Sequence, residues 1–581
     1  MKKKKLLTAL IVGTLACLAS ATLFTACGGK KDGEISTPPV SSTEPSPEET
    51  PYYSEGLAYR LNNQSYTVYG LGLCTDSDIV IPDTYNGLPV TGIYSYAFDN
   101  ETIESVVIPD SITSIGYGAF YSCDFLTEVT IPNSIISIEP FAFYNCDKLT
   151  KISIPDGVTN IEPYTFYGCS SLISVQLGND VTSIGNYAFS GCFDLTEINI
   201  PSSLSCIGVA AFNNCDSLTE ISIPDLVTTI GESAFYNCDS LTSAIIGNGV
   251  ESIGKFAFYN CDSLTKVIIG DSVTSIGDEA FFSCNSLNCV TLGESVADIG
   301  SNTFYNCYTL VEVVNKSTNI NITAGDTSNG YIGHYALAVY NNGDTFTTKL
   351  FNDNGYIVYA DDNEKILVSY NGKETDLAFP SYITQIYHYA FYNCRNLSNV
   401  VIGDLITNID NKTFSICTNL TSLTIGSGVT SIAQGALSAC ISLQNITVSE
   451  NNKMYKSIDG NLYSKDGTTL IQYAIGKTET SFKSPDGITT IGEYAFHYCV
   501  NLRNVTIGDG VTTIGRFAFN NCSNLTEILI PESVSVIDIA AFQDCANLTI
   551  YCEAESQPEG WHENWRYSSS KVEWGYTGID E

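Results

Sequence analysis

The sequence predicts a mainly β solenoid, in which coils of about 23 residues stack on one another. The stretch "AFYNCDSLT" occupies Ala234–Thr242 and returns letter for letter at Ala257–Thr265. A cysteine recurs at the same stride, and apolar and polar residues alternate shortly after it. A fixed period of this size is typical of stacked supersecondary units, none of which can bury its apolar side alone.

The cysteine marks each copy of the repeat. It holds the same template position at Cys123, Cys146, Cys169, Cys192, Cys215, Cys238, Cys261, Cys284, Cys307, Cys394, Cys417, Cys440, Cys499, Cys522 and Cys545. Counting from Tyr59 to Cys552 at this stride predicts about 21 coils.

Each coil contains two short extended runs, as in "CDFLTEVTIPNSIISIEPFAFYN" over Cys123–Asn145. Leucine follows the cysteine at +3, and Val or Ile at +6 and +8 alternates with polar residues, as expected for a half-buried strand. Pro or Gly at +9 ends that strand, and Val or Ile at +12 with Ile at +15 forms a second one. Ala-Phe then fills the corner before the next cysteine. Phe235 and Phe258 are therefore predicted core residues.

This template resembles the BspA-like leucine-rich repeat family of bacterial surface lipoproteins. The match covers roughly Leu57–Tyr576; "DIVIPDTYNGLPVTGI" (Asp78–Ile93) resembles the family's first coil. "YCEAESQPEGW" (Tyr551–Trp561) resembles its closing segment. The resemblance implies a curved, right-handed leucine-rich-repeat solenoid exposed outside the cell, with roles in adhesion and in binding host or matrix proteins.

Two segments interrupt the stride. They contain "NGYIVYADDNEKILVSYNGKE" and "SIDGNLYSKDGTTLIQYAIGK", with Asp459-Gly460 and Asp466-Gly467 as candidate hairpin turns. We interpret both as irregular coils, the alternative being separate domains. The predicted organisation begins with a signal peptide (1–26), a tether (27–50) and an N-terminal cap (51–97). Regular repeats follow at 98–307, 387–448 and 486–550, separated by irregular segments at 308–386 and 449–485. A C-terminal cap occupies 551–581.

The N-terminus has the pattern of an export signal, with four lysines before the apolar run Leu6–Phe24. Thr25-Ala26-Cys27 resembles a lipobox, which predicts lipidation of Cys27 and attachment to the outer face of the bacterial membrane; the alternative is an ordinary N-terminal anchor. Residues 28–50 are rich in Pro, Ser, Thr and Glu, which predicts a semi-extended tether. The formal charge of −37 makes nucleic acid and anionic membranes poor partners.

The repeat cysteines are predicted to be a buried ladder of free thiols. Neighbouring Cβ atoms would point in parallel, so a disulfide would require backbone movement. No C-x-x-C pair is present and the four histidines are scattered, so neither zinc nor another cofactor is expected. Cys289 falls on a polar strand position, where an exposed thiol is expected.

The sequence contains no nucleophile elbow, P-loop or H-E-x-x-H motif, so we expect no catalysis. Three functions remain: a protein-binding adhesin, a glycan-binding module and a passive surface scaffold. Exposed aromatic rings would favour glycans, whereas a broad polar sheet would favour proteins. We expect a monomer that binds extracellular protein.

The candidate binding face is formed by the +5 and +7 residues, which should point outward from one parallel sheet. It includes Glu128, Lys151, Gln176, Glu197, Asn199, Glu220, Ile245 and Ile268. The two isoleucines form an apolar spot on an otherwise polar face, where we centre the predicted contact. A second candidate is a tyrosine row beside the cysteines that includes Tyr236 and Tyr259. These rings either cover the corner of each coil or form a ridge that binds a ligand.

Overall fold

The structure, a computed structural model, describes residues 53–362, 364–566 and 570–577. The predicted signal peptide, tether and Cys27 lie outside these residues. The described chain is a solenoid of parallel strands with about 22 turns and a ~23-residue period, which confirms the predicted fold class. The sequence-based count of about 21 coils agrees with this number.

The +5 to +8 positions of successive coils form a parallel array that we call the front ladder. Its side chains alternate as predicted: Ile152 and Ile154 are buried, whereas Lys151 and Ser153 are exposed. The strands of the front ladder are Asp78–Val80, Ser105–Val107, Glu128–Thr130, Lys151–Ser153, Ser174–Gln176, Glu197–Ile198, Glu220–Ile223, Ser243–Ile246, Lys266–Ile268, Cys289–Leu292, Glu312–Asn315, Ala338–Tyr340, Asp376–Ala378, Asn399–Val401, Ser422–Ile425, Asn445–Val448, Ser481–Lys483, Asn504–Thr506, Glu527–Ile530, Thr549–Cys552 and Lys571–Trp574.

A second parallel array, the side ladder, is formed mostly by the +14 and +15 residues. Its isoleucines are buried in nearly every coil. Its strands are Leu88–Ile93, Ser114–Ile115, Ser137–Ile138, Asn160–Ile161, Ser183–Ile184, Cys206–Ile207, Thr229–Ile230, Ser252–Ile253, Ser275–Ile276, Asp298–Ile299, Gln385–Ile386, Asn408–Ile409, Ser431–Ile432, Thr490–Ile491, Thr513–Ile514 and Val536–Ile537. A 3-10 turn at Asn329–Tyr331 follows the regular coils whose cysteine stride ends at Cys307.

Phenylalanines fill the third corner, as the sequence predicts. Phe235 and Phe258 are fully buried, and their ring centroids lie 5.0 Å apart with nearly parallel planes. The same stacking runs from Phe98 to Phe304, and two shorter columns of rings follow over Phe379–Phe414 and Tyr473–Phe542. Each repeat cysteine lies beside these columns; Cys284, for example, donates its thiol hydrogen to the carbonyl of Phe258 at 3.2 Å.

Two residues of a typical coil adopt a left-handed backbone conformation, and this determines local sequence. One lies directly before the cysteine, where Asn237 has φ 58° and Gly168 has φ 73°. Asn and Gly tolerate this region better than other residues. The other lies at +18 and includes Tyr164 at φ 61°. The Asn260 side-chain amide also donates to that of Asn237 at 3.1 Å, which links neighbouring coils.

Antiparallel hairpins open three blocks of the solenoid, at residues 53–340, 350–448 and 455–577, and we call the two places where successive blocks meet the first and second joints. The hairpin strands are Ala58–Asn62, Ser65–Gly70 and Thr84–Tyr85; Leu350–Asp353, Tyr356–Ala360 and Lys365–Tyr370; and Tyr455–Ile458, Asn461–Ser464 and Thr469–Gln472. The predicted turn at Asp459-Gly460 joins two of them, with positive φ at both residues. Each of the two later meanders ends in a strand that pairs in parallel with the next side-ladder strand. Both irregular segments thus start a new block.

The first joint brings distant coils together. The ring of Tyr308 stacks on that of Tyr389 at 3.7 Å, and Asn393 Nδ2 lies 3.4 Å from Asp262 Oδ2. Asp262 belongs to a coil two turns before the last regular coil of the first block. The second block therefore packs against several coils of the first. At the second joint, Ser438 Oγ lies 2.5 Å from His497 Nδ1.

Candidate functional site

The predicted binding face lies on the front ladder. Glu128, Lys151, Gln176, Glu197 and Glu220 are exposed there, as expected for side chains that alternate with the buried +6 and +8 residues.

The front ladder is not one sheet, however, which corrects the sequence prediction. In the described residues it comprises five separately hydrogen-bonded sheets. Three follow one another over Asp78–Thr130, Lys151–Ile198 and Glu220–Tyr340, and two follow later over Asp376–Val448 and Ser481–Trp574.

Asn199 ends its strand early, next to the second interruption. Its side-chain oxygen accepts the N–H of Leu177 at 2.5 Å, and its side-chain nitrogen donates to the carbonyl of Leu177 at 2.9 Å. The carboxamide thus replaces the backbone partner that a regular strand would supply. Asn199 is half-buried, and together with Gln176, Glu197 and Glu220 it lines a shallow depression of about 380 Å³. Its amide already has partners, so its role in the described structure is structural.

Beyond this interruption, after Ser222, the +7 row is largely apolar. Ile245 is 50% exposed, Ile268 is half-buried, and both line a shallow depression of about 300 Å³. Strand register carries the row onward from Ile245 to Ile268, Thr291, Val314 and Tyr340. At about 4.8 Å per strand this row is roughly 19 Å long. We call these five residues the apolar stripe.

The far end of the apolar stripe was missed from the sequence. Val314 and Tyr340 are half-buried, and the exposed ring of Phe346 packs against Tyr340 edge to face at 5.1 Å. These residues lie after Cys307, where the regular cysteine stride stops. Val314 is seven residues after Cys307, so the template places it at +7, and the alternation in "VEVVN" was the available signal. Tyr340 has no cysteine to mark its coil, so nothing in the sequence assigns it to the +7 row.

The tyrosine row packs mainly against itself. Tyr236 and Tyr259 are half-buried, and their centroids lie 4.8 Å apart with planes 5° from parallel. Tyr259 stacks in turn on Phe282 at 4.9 Å. Both faces of Tyr259 are thus covered by neighbouring rings, which leaves its edge for a ligand. This geometry favours the interpretation that the rings cover the corner of each coil.

All described cysteines are free, and most repeat cysteines are fully buried, as predicted. Burial raises the pKa of the Cys238 and Cys261 thiols well above the usual range. Cys289 is half-buried, which corrects the expectation of an exposed thiol. Burial and the nearby Glu312 raise its pKa to about 12. These thiols therefore act as small apolar groups with one weak donor each.

The histidines are less scattered than their sequence positions suggest. His334 and His388 both lie against the ring of Tyr335, with centroids 4.4 and 5.7 Å away, because the first joint brings their coils together. His497 contacts Ser438, but Ser438 is buried. Burial also lowers the pKa of His497 to about 4. The distance between Ser438 and His497 would suit a catalytic Ser-His pair, but the burial of Ser438 does not.

Several carboxylates have a structural role at the turns between coils. Asp225 accepts the backbone N–H of Asn248 in the next coil at 2.7 Å, and Asp156 does the same for Asn179. Within the described ranges, no group of three or more His, Cys, Asp or Glu side chains is placed to hold a metal ion. Nor does the described part of the chain contain a helix long and apolar enough to span a bilayer.

The fold and its exposed ladder define the protein as a leucine-rich-repeat solenoid. The chain belongs to the BspA type leucine-rich repeat family, whose profile matches residues 91–219, 205–326, 369–475 and 468–556. The resemblance inferred from the repeat template is therefore confirmed. A search of curated proteins finds no match.

Solved structures with similar repeats come from several bacteria. A leucine-rich repeat protein from Bacteroides ovatus is 22% identical over 90% of this chain and 99% of its own, with a TM-score of 0.38. A leucine rich cell surface protein from Faecalibacterium prausnitzii is 21% identical over 91% and 100% of the two chains, with a TM-score of 0.24. The pneumococcal vaccine antigen PcpA is 14% identical over 90% and 87%, with a TM-score of 0.26. The family assignment rests on the repeat profile.

Proposed function

We propose that this chain is a bacterial surface lipoprotein that binds an extracellular protein, without catalysis, through the apolar stripe of its front ladder. The observation that carries the proposal is the exposure of Ile245, at 50%, at the start of an aligned apolar row on a mostly polar face. Contiguous apolar surface rimmed by polar side chains is typical of protein-binding sites.

The charge of the chain indicates the chemistry of the partner. With 63 acidic against 26 basic residues, the solenoid attracts a protein of positive net charge and repels an acidic one. Near the stripe, Lys316 is already paired with Asp271 at 3.5 Å. We therefore infer a basic partner that inserts apolar side chains along the stripe, with an association rate that falls as salt is added.

Anchoring is part of the same proposal. Lipidation of Cys27 would hold the solenoid outside the membrane at the end of the tether. Mass spectrometry of the mature N-terminus tests this directly: a diacylglyceryl mass on Cys27 supports it, and an unmodified cysteine or cleavage elsewhere contradicts it.

The binding proposal is tested with the double variant Ile245→Glu/Ile268→Glu. Two carboxylates within a desolvated contact should cost at least about 2 kcal/mol, or roughly 30-fold in affinity. Melting should be nearly unchanged, because both side chains lie on the outer surface. The parent and variant chains are used to capture proteins from a host-cell and matrix extract, and bound proteins are quantified by mass spectrometry.

The matched control is Ile136→Glu/Leu405→Glu, which adds the same charge at exposed apolar residues outside the stripe. A partner should bind the parent and this control and lose the stripe variant. If the proteins captured by the parent bind the stripe variant equally well, the apolar stripe is not the site. If the parent captures none, the proposed binding function is contradicted.

A further inference from the structure

A groove lies at the first joint, away from the apolar stripe. Its volume is about 670 Å³, and clefts that hold small ligands measure about 300–1,000 Å³. Asp239, Asp262 and Tyr308 line it from the first block, and Tyr392 and Arg395 line it from the second. The groove therefore exists only because the second block packs beside the first.

The walls of the groove are held in place by contacts across the joint. Asp262 accepts a hydrogen bond from Asn285 Nδ2 at 2.7 Å, and Asn393 Nδ2 lies 3.4 Å from its other oxygen. The stacked rings of Tyr308 and Tyr389 are 1° from parallel. A ligand would thus meet a preformed cleft, which lowers the entropy cost of binding.

The lining offers hydrogen-bond donors and acceptors side by side. The Arg395 guanidinium has five N–H donors, and its Nε donates to Asn393 Oδ1 at 2.9 Å. Asp239 and Arg395 are exposed, and Tyr392 and Asp262 are half-buried. The side-chain amides and hydroxyls of neighbouring Asn and Ser residues add further donors and acceptors.

The carboxylates of the groove are incompletely solvated. Burial raises the pKa of Asp262 to about 6, against the opposing effects of the Asn285 hydrogen bond and of Arg395. Burial also raises the pKa of Asp239, again opposed by Arg395. The Arg395 guanidinium therefore offsets only part of the desolvation cost of the two ionised carboxylates. Hydroxyl groups that donate hydrogen bonds to these carboxylates would stabilise them further.

This chemistry excludes several ligand classes. An anionic ligand would be repelled by two carboxylates, and an apolar one would bury charges without hydrogen bonds. A simple cation would gain from the carboxylates but would be repelled by Arg395. A hydroxyl group both donates and accepts, so a ligand with several hydroxyls can satisfy both sets of groups.

We propose that the joint groove binds a saccharide, with hydroxyls donating to Asp239 and Asp262 and accepting from Arg395, and with the sugar ring packed beside Tyr392. Sugar rings carry apolar faces that pack against aromatic side chains, which gives Tyr392 its role. The site is independent of the protein contact proposed for the apolar stripe.

The test uses the full chain and four neutral probes: maltotetraose, cellotetraose, mannotetraose and tetra-N-acetylchitotetraose. Saturation-transfer NMR detects binding at millimolar concentration, and calorimetry measures the affinity of any probe that binds. We expect at least one tetrasaccharide to bind the parent chain. Arg395→Ala and Asp239→Asn should each weaken it about tenfold or more, as expected for the loss of a hydrogen bond to a charged group.

Matched controls separate this site from the rest of the surface. Arg516→Ala removes an exposed arginine of the third block and should leave saccharide binding unchanged. The stripe variant Ile245→Glu/Ile268→Glu should also bind saccharide like the parent, so this proposal and the proposed function fail separately. Equal melting curves for all variants establish that the fold is retained.

Three results would overturn the proposal. The first is that none of the four tetrasaccharides binds. The second is that a tetrasaccharide binds Arg395→Ala and Asp239→Asn as tightly as the parent. The third is that tetralysine binds the groove and the saccharides do not, which would make it a site for basic peptides.

Discussion

Replacing Phe258 by alanine tests whether the ring column stabilises the solenoid locally. The Phe258 ring is fully buried between Phe235, at 5.0 Å, and Phe281, at 5.1 Å, with planes within 10° of parallel. Phe258→Ala removes one ring from the column and ends both stacking contacts. The adjoining coils are held by strand pairs on either side, so they cannot close the cavity fully.

The expected cost is about 3–5 kcal/mol, the range measured for Phe→Ala in protein cores. The two ring contacts account for about 1–3 kcal/mol of this, at about 0.5–1.5 kcal/mol per pair. Because the cavity left by Phe258→Ala cannot close fully, we expect a loss of stability in the upper half of this range. Because each coil contacts mainly its neighbours, the loss should remain within a few coils.

Hydrogen exchange followed by mass spectrometry measures this distribution along the chain. Protection should fall from the coil of Phe235 to that of Phe281 and their immediate neighbours, and it should be retained in the third block. The control is Phe193→Ala, because that ring is 46% exposed and its loss should change stability by less than about 0.5 kcal/mol. Uniform loosening from end to end, or an equal effect of both variants, would refute the nearest-neighbour account.

Two further predictions follow from burial. Burial and the adjacent Asp239 raise the pKa of Asp216 to about 6, so the folded state holds this proton more tightly than the unfolded state; stability is lost as pH rises from about 4 to 6. Asp216→Asn should therefore raise the free energy of unfolding by about 1 kcal/mol at pH 7.5 and leave it unchanged at pH 3.5. The exposed control Asp180→Asn should leave it unchanged at both pH values. Thermal melts in which Asp216→Asn has equal effects at the two pH values would contradict this. In maleimide labelling of the folded chain, half-buried Cys289 should react before fully buried Cys261, and mass spectrometry showing the reverse order would contradict the described packing.

The repeat core could be predicted because it depends on local pattern. Ile152, Phe258 and Cys261 occupy fixed template positions, and each is buried where the template places it. Packing between identical coils repeats the same contacts, so one coil read correctly predicts the others. The outward direction of Lys151 and Glu220 followed from strand alternation for the same reason.

The departures from the regular repeat could not be predicted, because they depend on single side chains or on contacts between residues far apart in the sequence. The Asn199 carboxamide binds the backbone N–H and carbonyl of Leu177 and shortens the pairing with the preceding strand, although its sequence position is an ordinary +7 site. Tyr308 and Tyr389 are 81 residues apart and meet only through the packing at the joint. The left-handed backbone at Tyr164 was also missed, since aromatic residues rarely adopt it.

A regular solenoid presents the same surface at every coil, so a unique site requires a break in the repeat. This chain breaks the repeat in two ways. Along the front ladder, Ile245 and Ile268 replace polar +7 residues while the core beneath them is unchanged. At the joints, hairpins restart the stacking and place side chains from different blocks face to face, as with Asp262 and Arg395.

The second joint shows that such a break alone does not make a ligand site. There Leu437 stands in the phenylalanine position of the template, and it lines an apolar pocket of only about 180 Å³. Ser438 and His497 contact each other across that joint and are largely enclosed. The first joint differs because exposed Asp239 and Arg395 reach a cleft more than three times as large. Size and exposed polar side chains together, rather than the interruption itself, make the first joint the better candidate for binding.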